Sequence, residues 1–216
     1  MITVPSAVEQ ILKKRPFIEE AFSQELINLS SLARLILPEV RELTFKEVKE
    51  GAILMALKRL PKTLRSASRI KDVLGKSHDL IARSNLAEFT VLNSDFSIEK
   101  HKKIIKEAEE TKKYFLTITQ GVFETTIIIS KELKERIEEI LGKGKVISQF
   151  DNLSSITIRL PGKTVLTPGV YYTILKYLAW EGINVVEVVS TFSEFTVILE
   201  NKEVSHAFSL LKSTLS

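Results

Sequence analysis

Apolar residues recur at helical spacing through the first third of the chain. Val8, Ile11 and Leu12 form one stripe, behind Ser6 and Glu9 in the S-x-x-E spacing of a capping box. Pro16 suits the first turn of a second helix carrying Phe17, Ile18, Ala21 and Phe22, because its missing N–H would be an orphan there anyway. Asn28 or Ser30 can cap a third helix with Leu32, Ala33, Leu35 and Ile36, which the pattern interrupts near Pro38. Thr44, with Glu47 three residues on, is placed to cap a fourth helix whose Val48, Ala52, Met55 and Ala56 face inward and which ends before Pro61.

From Asn85 the period changes to strands separated by helices. Leu86 to Leu92 reads as a strand and Ser97 to Lys112 as a helix, with Ile98, Ile104, Ile105 and Ala108 inward. Tyr114 to Thr119 and Thr125 to Ser130 read as a hairpin turning at Gln120-Gly121. Lys131 to Leu141 is a helix closed by Gly142, and Val146 to Phe150 a further strand. The order βαββαβ then begins again with strand Ser155 to Leu160, helix Pro168 to Trp180, strands Ile183 to Thr191 and Glu194 to Glu200, and helix Lys202 to Leu211. The expected class is α+β: an all-α N-terminal part followed by two ferredoxin-like βαββαβ units.

Composition narrows the function classes. With 216 residues and 44% hydrophobic content, each part can bury a core of its own. The absence of cysteine removes disulfides, Cys-containing zinc sites and thiol nucleophiles. No apolar run is long enough to span a bilayer, and the N-terminus has no basic segment followed by an apolar stretch, so a soluble cytoplasmic protein without membrane association is expected. The net charge of +4 is unevenly spread. Between Lys58 and Arg83, eight basic residues, Lys62, Arg65 and Arg69 among them, face only Asp72 and Asp79. An anionic partner such as nucleic acid and a solvated helix face both fit this run.

The stretch Leu29 to Ile36, with its Ser-capped start and Leu32-Ala33 pair, followed by Phe45 to Leu60 with small Ala52 and Ala56, resembles a helix-turn-helix core. If it binds DNA, Lys58, Lys62, Arg65 and Arg69 are the candidate phosphate contacts. Lys46, Glu47, Lys49 and Glu50 mix the signs on the second helix, so a dimerisation or partner-docking bundle stays open beside DNA binding.

In the second βαββαβ unit, Leu166-Thr167-Pro168-Gly169-Val170, then Trp180-Glu181-Gly182-Ile183-Asn184-Val185, then Val189-Ser190-Thr191 before Glu194-Phe195-Thr196-Val197, resembles an ACT domain, particularly the regulatory ACT pair of aspartate kinases. The first unit matches only in its order of elements. After Leu211 too few residues remain for a closing strand. In the regulatory pair of aspartate kinases that strand comes from ahead of the first ACT domain, and the resemblance assigns it here to Ser77 to Ser84. The expected layout is therefore a helical domain over 1–76, a first ACT unit over 77–151 in which 77–84 is the last strand of the second unit, and a second ACT unit over 152–216.

The resemblance implies a small effector, an amino acid, bound near Leu166, Thr167, Pro168, Gly169, Val170 and Tyr171 and near Gly182, Ile183, Asn184 and Val185. Backbone N–H groups at a helix start after Pro168-Gly169 would face its α-carboxylate, and Asn184 would offer an amide. Gly169 could equally serve a sharp loop, and Gly182 a helix C-cap. The resemblance also implies pairing into a homodimer.

No catalytic constellation can be assembled. The Lys-Phe-Gly-Gly motif of aspartate kinases is missing, Gly142-Lys143-Gly144-Lys145 follows a helix instead of opening one, and His78, His101 and His206 stand outside metal-ligand spacings. The expectation is a regulatory protein, not an enzyme, with no metal and no cofactor. One form of it is a transcriptional regulator; the other is a non-catalytic ACT module that regulates a separate amino-acid-biosynthetic enzyme such as an aspartate kinase.

Overall fold

The structure, a computed structural model, describes residues 2–60, 79–109, 114–142 and 144–215. The chain divides into two compact units, Met1–Asp72 and Val73–Ser216.

The first unit contains α1 (Val4–Lys13), α2 (Pro16–Ser23), α3 (Leu29–Thr44) and α4 (Glu50–Arg59). Its core gathers Ala7, Val8, Leu12, Phe22, Leu32, Ile36, Val40, Ile53 and Leu57. Four local expectations change. The cap of α1 is Thr3, whose hydroxyl accepts from the Ser6 N–H, because Pro5 fits the first turn and moves the helix start ahead of Ser6; Glu9 pairs instead with Lys13. Asn28 caps α3 by accepting from the Ser30 and Ser31 N–H groups, and α3 then runs on through Pro38. The missing hydrogen bond at Pro38 is offset by a stripe, Leu32, Ile36, Val40 and Thr44, that stays buried across it. Thr44 consequently ends α3, donating to the Val40 carbonyl at 2.7 Å, and does not cap α4. Ile53, Ala56 and Leu57 take the inner face of α4 and leave Ala52 and Met55 exposed.

The second unit is built on a six-stranded antiparallel sheet in the order β2-β3-β1-β4-β6-β5. Its elements are β1 (Leu80–Leu92), α5 (Ile98–Glu109), β2 (Leu116–Gln120), β3 (Glu124–Ser130), α6 (Lys134–Leu141), β4 (Val146–Arg159), α7 (Val170–Trp180), β5 (Glu187–Ser190), β6 (Glu194–Glu200) and α8 (Val204–Leu215). The strands expected at Val146 to Phe150 and Ser155 to Leu160 are one continuous strand, β4, and β1 begins well before Leu86. Ile98 opens α5 on its exposed side, while Ile104 and Ala108 are buried.

Both long strands change direction at an asparagine with left-handed backbone, Asn85 at φ 61° and Asn152 at φ 57°. The two strands pair with each other on both sides of the asparagines, and past each asparagine the strand gains a second partner. Leu86–Leu92 pairs with β3 as well as β4, whereas Leu80, Ile81, Ala82 and Arg83 pair only with Ile158, Thr157, Ile156 and Ser155 of β4. Two βαββαβ halves result, and each contributes one strand end to the other. Alternation along the strands sends Ala87, Phe89, Val91, Ile127 and Ile129 to the face covered by α5 and α6. Leu86 and Ile128 of the first half point to the opposite face, where they meet Leu153 and Ile198 of the second.

Candidate effector site

The chain leaves β4 through Leu160 and Pro161, makes a 3₁₀ turn over Gly162–Leu166, and enters α7 after Gly169. Gly169 is the N-cap at φ 88°, a conformation that strains residues with a Cβ. Its carbonyl accepts from both the N–H and the hydroxyl of Thr173 at 2.9 Å. The Thr167 hydroxyl donates to the Lys163 carbonyl at 2.9 Å, Pro168 is exposed, and Leu166 is 86% exposed. Val170 is buried, while the Tyr171 ring stacks on Phe195 with centroids 4.7 Å apart and its hydroxyl lies 2.9 Å from that of Ser190.

The second expected segment follows the other end of the same helix. Gly182, at φ 71°, donates to the Ala179 carbonyl, and Ile183 donates to the Leu178 carbonyl. These bonds form a Schellman cap, so Gly182 terminates α7. Ile183 is buried and Asn184 exposed. Because β5 begins only at Glu187, later than the pattern suggests, Asn184 and Val185 run free of the sheet ladder. Tyr171 and Gly182 lie eleven positions apart along α7 and its cap, about 16 Å at 1.5 Å per residue. The two segments therefore lie at opposite ends of α7.

A cleft of about 560 Å³ takes in Asn184 and Val185 of the second segment and no residue of the first. Its walls are Phe150 to Leu153 at the bend of β4, Asn184 to Val186, and Glu200 to Lys202 after β6. Phe150, Leu153, Val185 and Val186 supply apolar surface; Asn152, Asn184 and Asn201 supply three amides. The charges around it are partly paired: Lys134 Nζ lies 2.7 Å from Asp151, and Lys202 Nζ lies 2.7 Å from Glu200. Lys131 donates to the Asn152 amide oxygen at 3.1 Å. Beside the cleft, Glu88 lies directly opposite Phe150 in the β1–β4 pairing. Its side chain is buried, with Oε2 unbonded, and burial pushes its carboxyl up to about 7, the Glu187 carboxylate adding to the rise.

No protein-family model and no curated protein matches this chain. Solved structures do. An aspartate kinase of Clostridium acetobutylicum, described as an allosteric enzyme, superposes on 63% of this chain with a TM-score of 0.51 at 15% identity. The chain spans about a third of that enzyme's length, 34%. The regulatory subunit of aspartate kinase from Thermus thermophilus, in ligand-free form, aligns over 62% of this chain and 95% of its own at TM-score 0.48 and 14% identity. A C-terminal regulatory domain of aspartate kinase from Porphyromonas gingivalis aligns over 64% of this chain and 97% of its own at TM-score 0.48 and 15% identity.

This chain shares its fold with part of an aspartate kinase. Asn152, Asn201, Asp151, Glu200 and Lys202 of the cleft were not among the expected site residues. Asn152 was detectable, as an asparagine amid the β-pattern of Phe150 to Ile158; Asn201 carries no such mark. In the helical unit Lys58 is exposed in the last turn of α4, and Lys62, Arg65 and Arg69 lie outside the described residues. Gly142 ends α6 at φ 90° with its N–H on the Glu138 carbonyl, a helix terminus and not a phosphate cradle. His206 lies 3.3 Å from Glu181 and the His101 ring 5.7 Å from that of Phe96. Among the described residues no group of three or more His, Asp or Glu is placed to hold a metal, and no helix is long and apolar enough to cross a membrane.

Proposed function

We propose that this chain is a regulatory protein that senses an amino acid through a tandem ACT module, the helical unit being its output. The observation that carries the reading is the cleft at the bend of β4, which joins three amides and paired charges to apolar walls in a fold shared with an aspartate kinase. Small zwitterions need that combination: amides and charges for the carboxylate and ammonium, apolar surface for the side chain. Asn184 and Val185 belong to this site. The loop Leu166 to Tyr171, at the far end of α7, would join it only across a homodimer, in which a second copy brings its loop to the cleft.

In this reading the helical domain covers 1–76, and the two ACT units cover 77–151 and 152–216, with 77–84 closing the second. The chain has no catalytic role of its own. As a transcriptional regulator it would contact DNA phosphates through Lys58, Lys62, Arg65 and Arg69. The exposed face of α4 favours docking on a protein as well, because Ala52 and Met55 lie uncovered there; the target would then be an amino-acid-biosynthetic enzyme. Thermal shift of the full chain against the twenty amino acids tests the sensing function, since a ligand of the folded state raises the melting temperature. No shift at millimolar concentration of any of them would refute it.

A further inference from the structure

Three side chains link the cleft to β1. Asn201 opens the 3₁₀ turn Asn201–Glu203 and lines the cleft. Its Oδ1 accepts from the Ser154 hydroxyl, which in turn lies 3.1 Å from the hydroxyl of Ser84. Ser154 Oγ is the donor in both contacts, and a hydroxyl has one proton, so that proton is shared between Asn201 Oδ1 and Ser84 Oγ. With Oδ1 engaged in this way, the NH₂ of Asn201 is turned away from Ser154, leaving two donors for a group in the cleft.

Ser154 is fully buried. Its counterpart in the first half is Ala87, as the matching pairs Ala87 with Ile129 and Ser154 with Leu199 show. A small apolar residue therefore satisfies the packing at this place in the sheet. A buried hydroxyl is costly unless it is bonded. Here its bonds run to a cleft residue on one side and to Ser84 on the other. Ser84 follows Leu80–Arg83, the strand end that pairs with β4 and that continues directly from the segment leading out of the helical unit.

Resting on the reading of the cleft as an amino-acid site, we propose that Asn201 holds the effector's carboxylate, that Ser154 is the positioning residue that turns the Asn201 amide toward it, and that occupancy is registered through Ser84 at the Leu80–Arg83 strand. A carboxylate is acceptor-only and takes an amide N–H in a charge-assisted bond, whereas a carboxamide is a neutral acceptor that also brings donors of its own. The site should therefore prefer acids to amides.

The experiment titrates the full chain with the L-amino acids and their carboxamides by calorimetry, for the wild type and for Asn201→Asp, Asn201→Ala and Ser154→Ala. Wild type should bind at least one amino acid roughly tenfold more tightly than its carboxamide. Asn201→Asp, which sets a charge against the carboxylate, should abolish acid binding. Ser154→Ala should lose most of the preference although Asn201 remains, with melting temperature reporting that it is folded. Hydrogen exchange of Leu80 to Ser84 should slow on acid binding in wild type and not in Ser154→Ala. Equal binding of acids and carboxamides by wild type, or a preference that survives in both Asn201→Ala and Ser154→Ala, overturns the assignment while leaving an effector cleft in place; exchange that slows equally in Ser154→Ala overturns the link to Ser84. Failure of every amino acid to bind the wild type overturns the cleft reading and this inference together.

Discussion

Asn85 and Asn152 occupy matching places in the two halves of the sheet, each in left-handed conformation in the middle of a long strand. Asparagine tolerates this region better than residues that carry a larger or branched side chain, and glycine tolerates it best. Asn85→Val is therefore expected to destabilise the protein by about 1–2 kcal/mol and Asn85→Gly to be near neutral. Asn152→Gly should cost slightly more, because it also removes the acceptor for Lys131. Urea denaturation of the four single valine and glycine variants measures this; equal losses for valine and glycine would mean that the bends are not set by backbone conformation.

Glu88 makes stability depend on pH in a definite direction. Its folded pKa of about 7 lies above the ordinary 4.5, so the folded state holds more protons than the unfolded state between those values. The contribution is fully present below pH 4.5 and is lost as pH rises through 7. Glu88→Gln, which keeps the shape without the charge, should raise the melting temperature at pH 8 and leave it nearly unchanged at pH 5, a difference on the order of 1 kcal/mol. A pH profile identical to wild type would place the ionisation elsewhere.

The strand end Leu80–Arg83 gives β4 its second neighbour over Ser155 to Ile158. A fragment beginning at Asn85 keeps all the remaining strands and helices of the sheet unit and yet leaves that edge unpaired. It should aggregate on expression, while one beginning at Val73 should stay soluble. Comparable solubility and melting of the two fragments would show that the pairing is dispensable.

Much of this architecture was legible in the chain because burial imposes a period. Stripes such as Leu32, Ala33 and Ile36, and short β-branched and apolar runs such as Phe195 to Leu199, mark helix and strand whatever lies around them. What depended on tertiary context was less so. Pro38 breaks a helix in isolation but is carried by a stripe that continues on both sides, and the merging of two strands into β4 turns on one backbone angle at Asn152. The cleft was half legible. Asn184 and Val185 sit in a motif, whereas Asn201 becomes relevant only because Ser154, forty-seven positions earlier, reaches it across the sheet.

Gly182 separates structural from binding roles within that motif. A Cβ there would meet nothing within 4 Å, so Gly182→Ala has only the left-handed backbone to contend with. The expected cost is about 1 kcal/mol of stability. Amino-acid affinity of the folded variant should match wild type, while Asn184→Ala should weaken binding severalfold with little change in melting. A large affinity loss in Gly182→Ala would return the glycine to the effector site.

The output of the helical unit is decided by salt. Lys58 stands exposed at the end of α4, where a phosphate contact and a solvated surface charge look alike in a structure without a partner. Bound phosphates release counterions, so duplex affinity of the full chain should fall with salt at a log–log slope of roughly 0.9 per phosphate neutralised. Replacing Lys58, Lys62, Arg65 and Arg69 by alanine should lower both the affinity and the slope, the latter by up to about 0.9 per lost contact. If sensing and output are joined, an amino acid that changes duplex affinity by some factor must have its own affinity changed by the same factor when duplex is present. Absence of duplex binding at low salt, with and without amino acids, would remove the transcriptional form of the proposal and leave regulation of a partner enzyme through the uncovered face of α4.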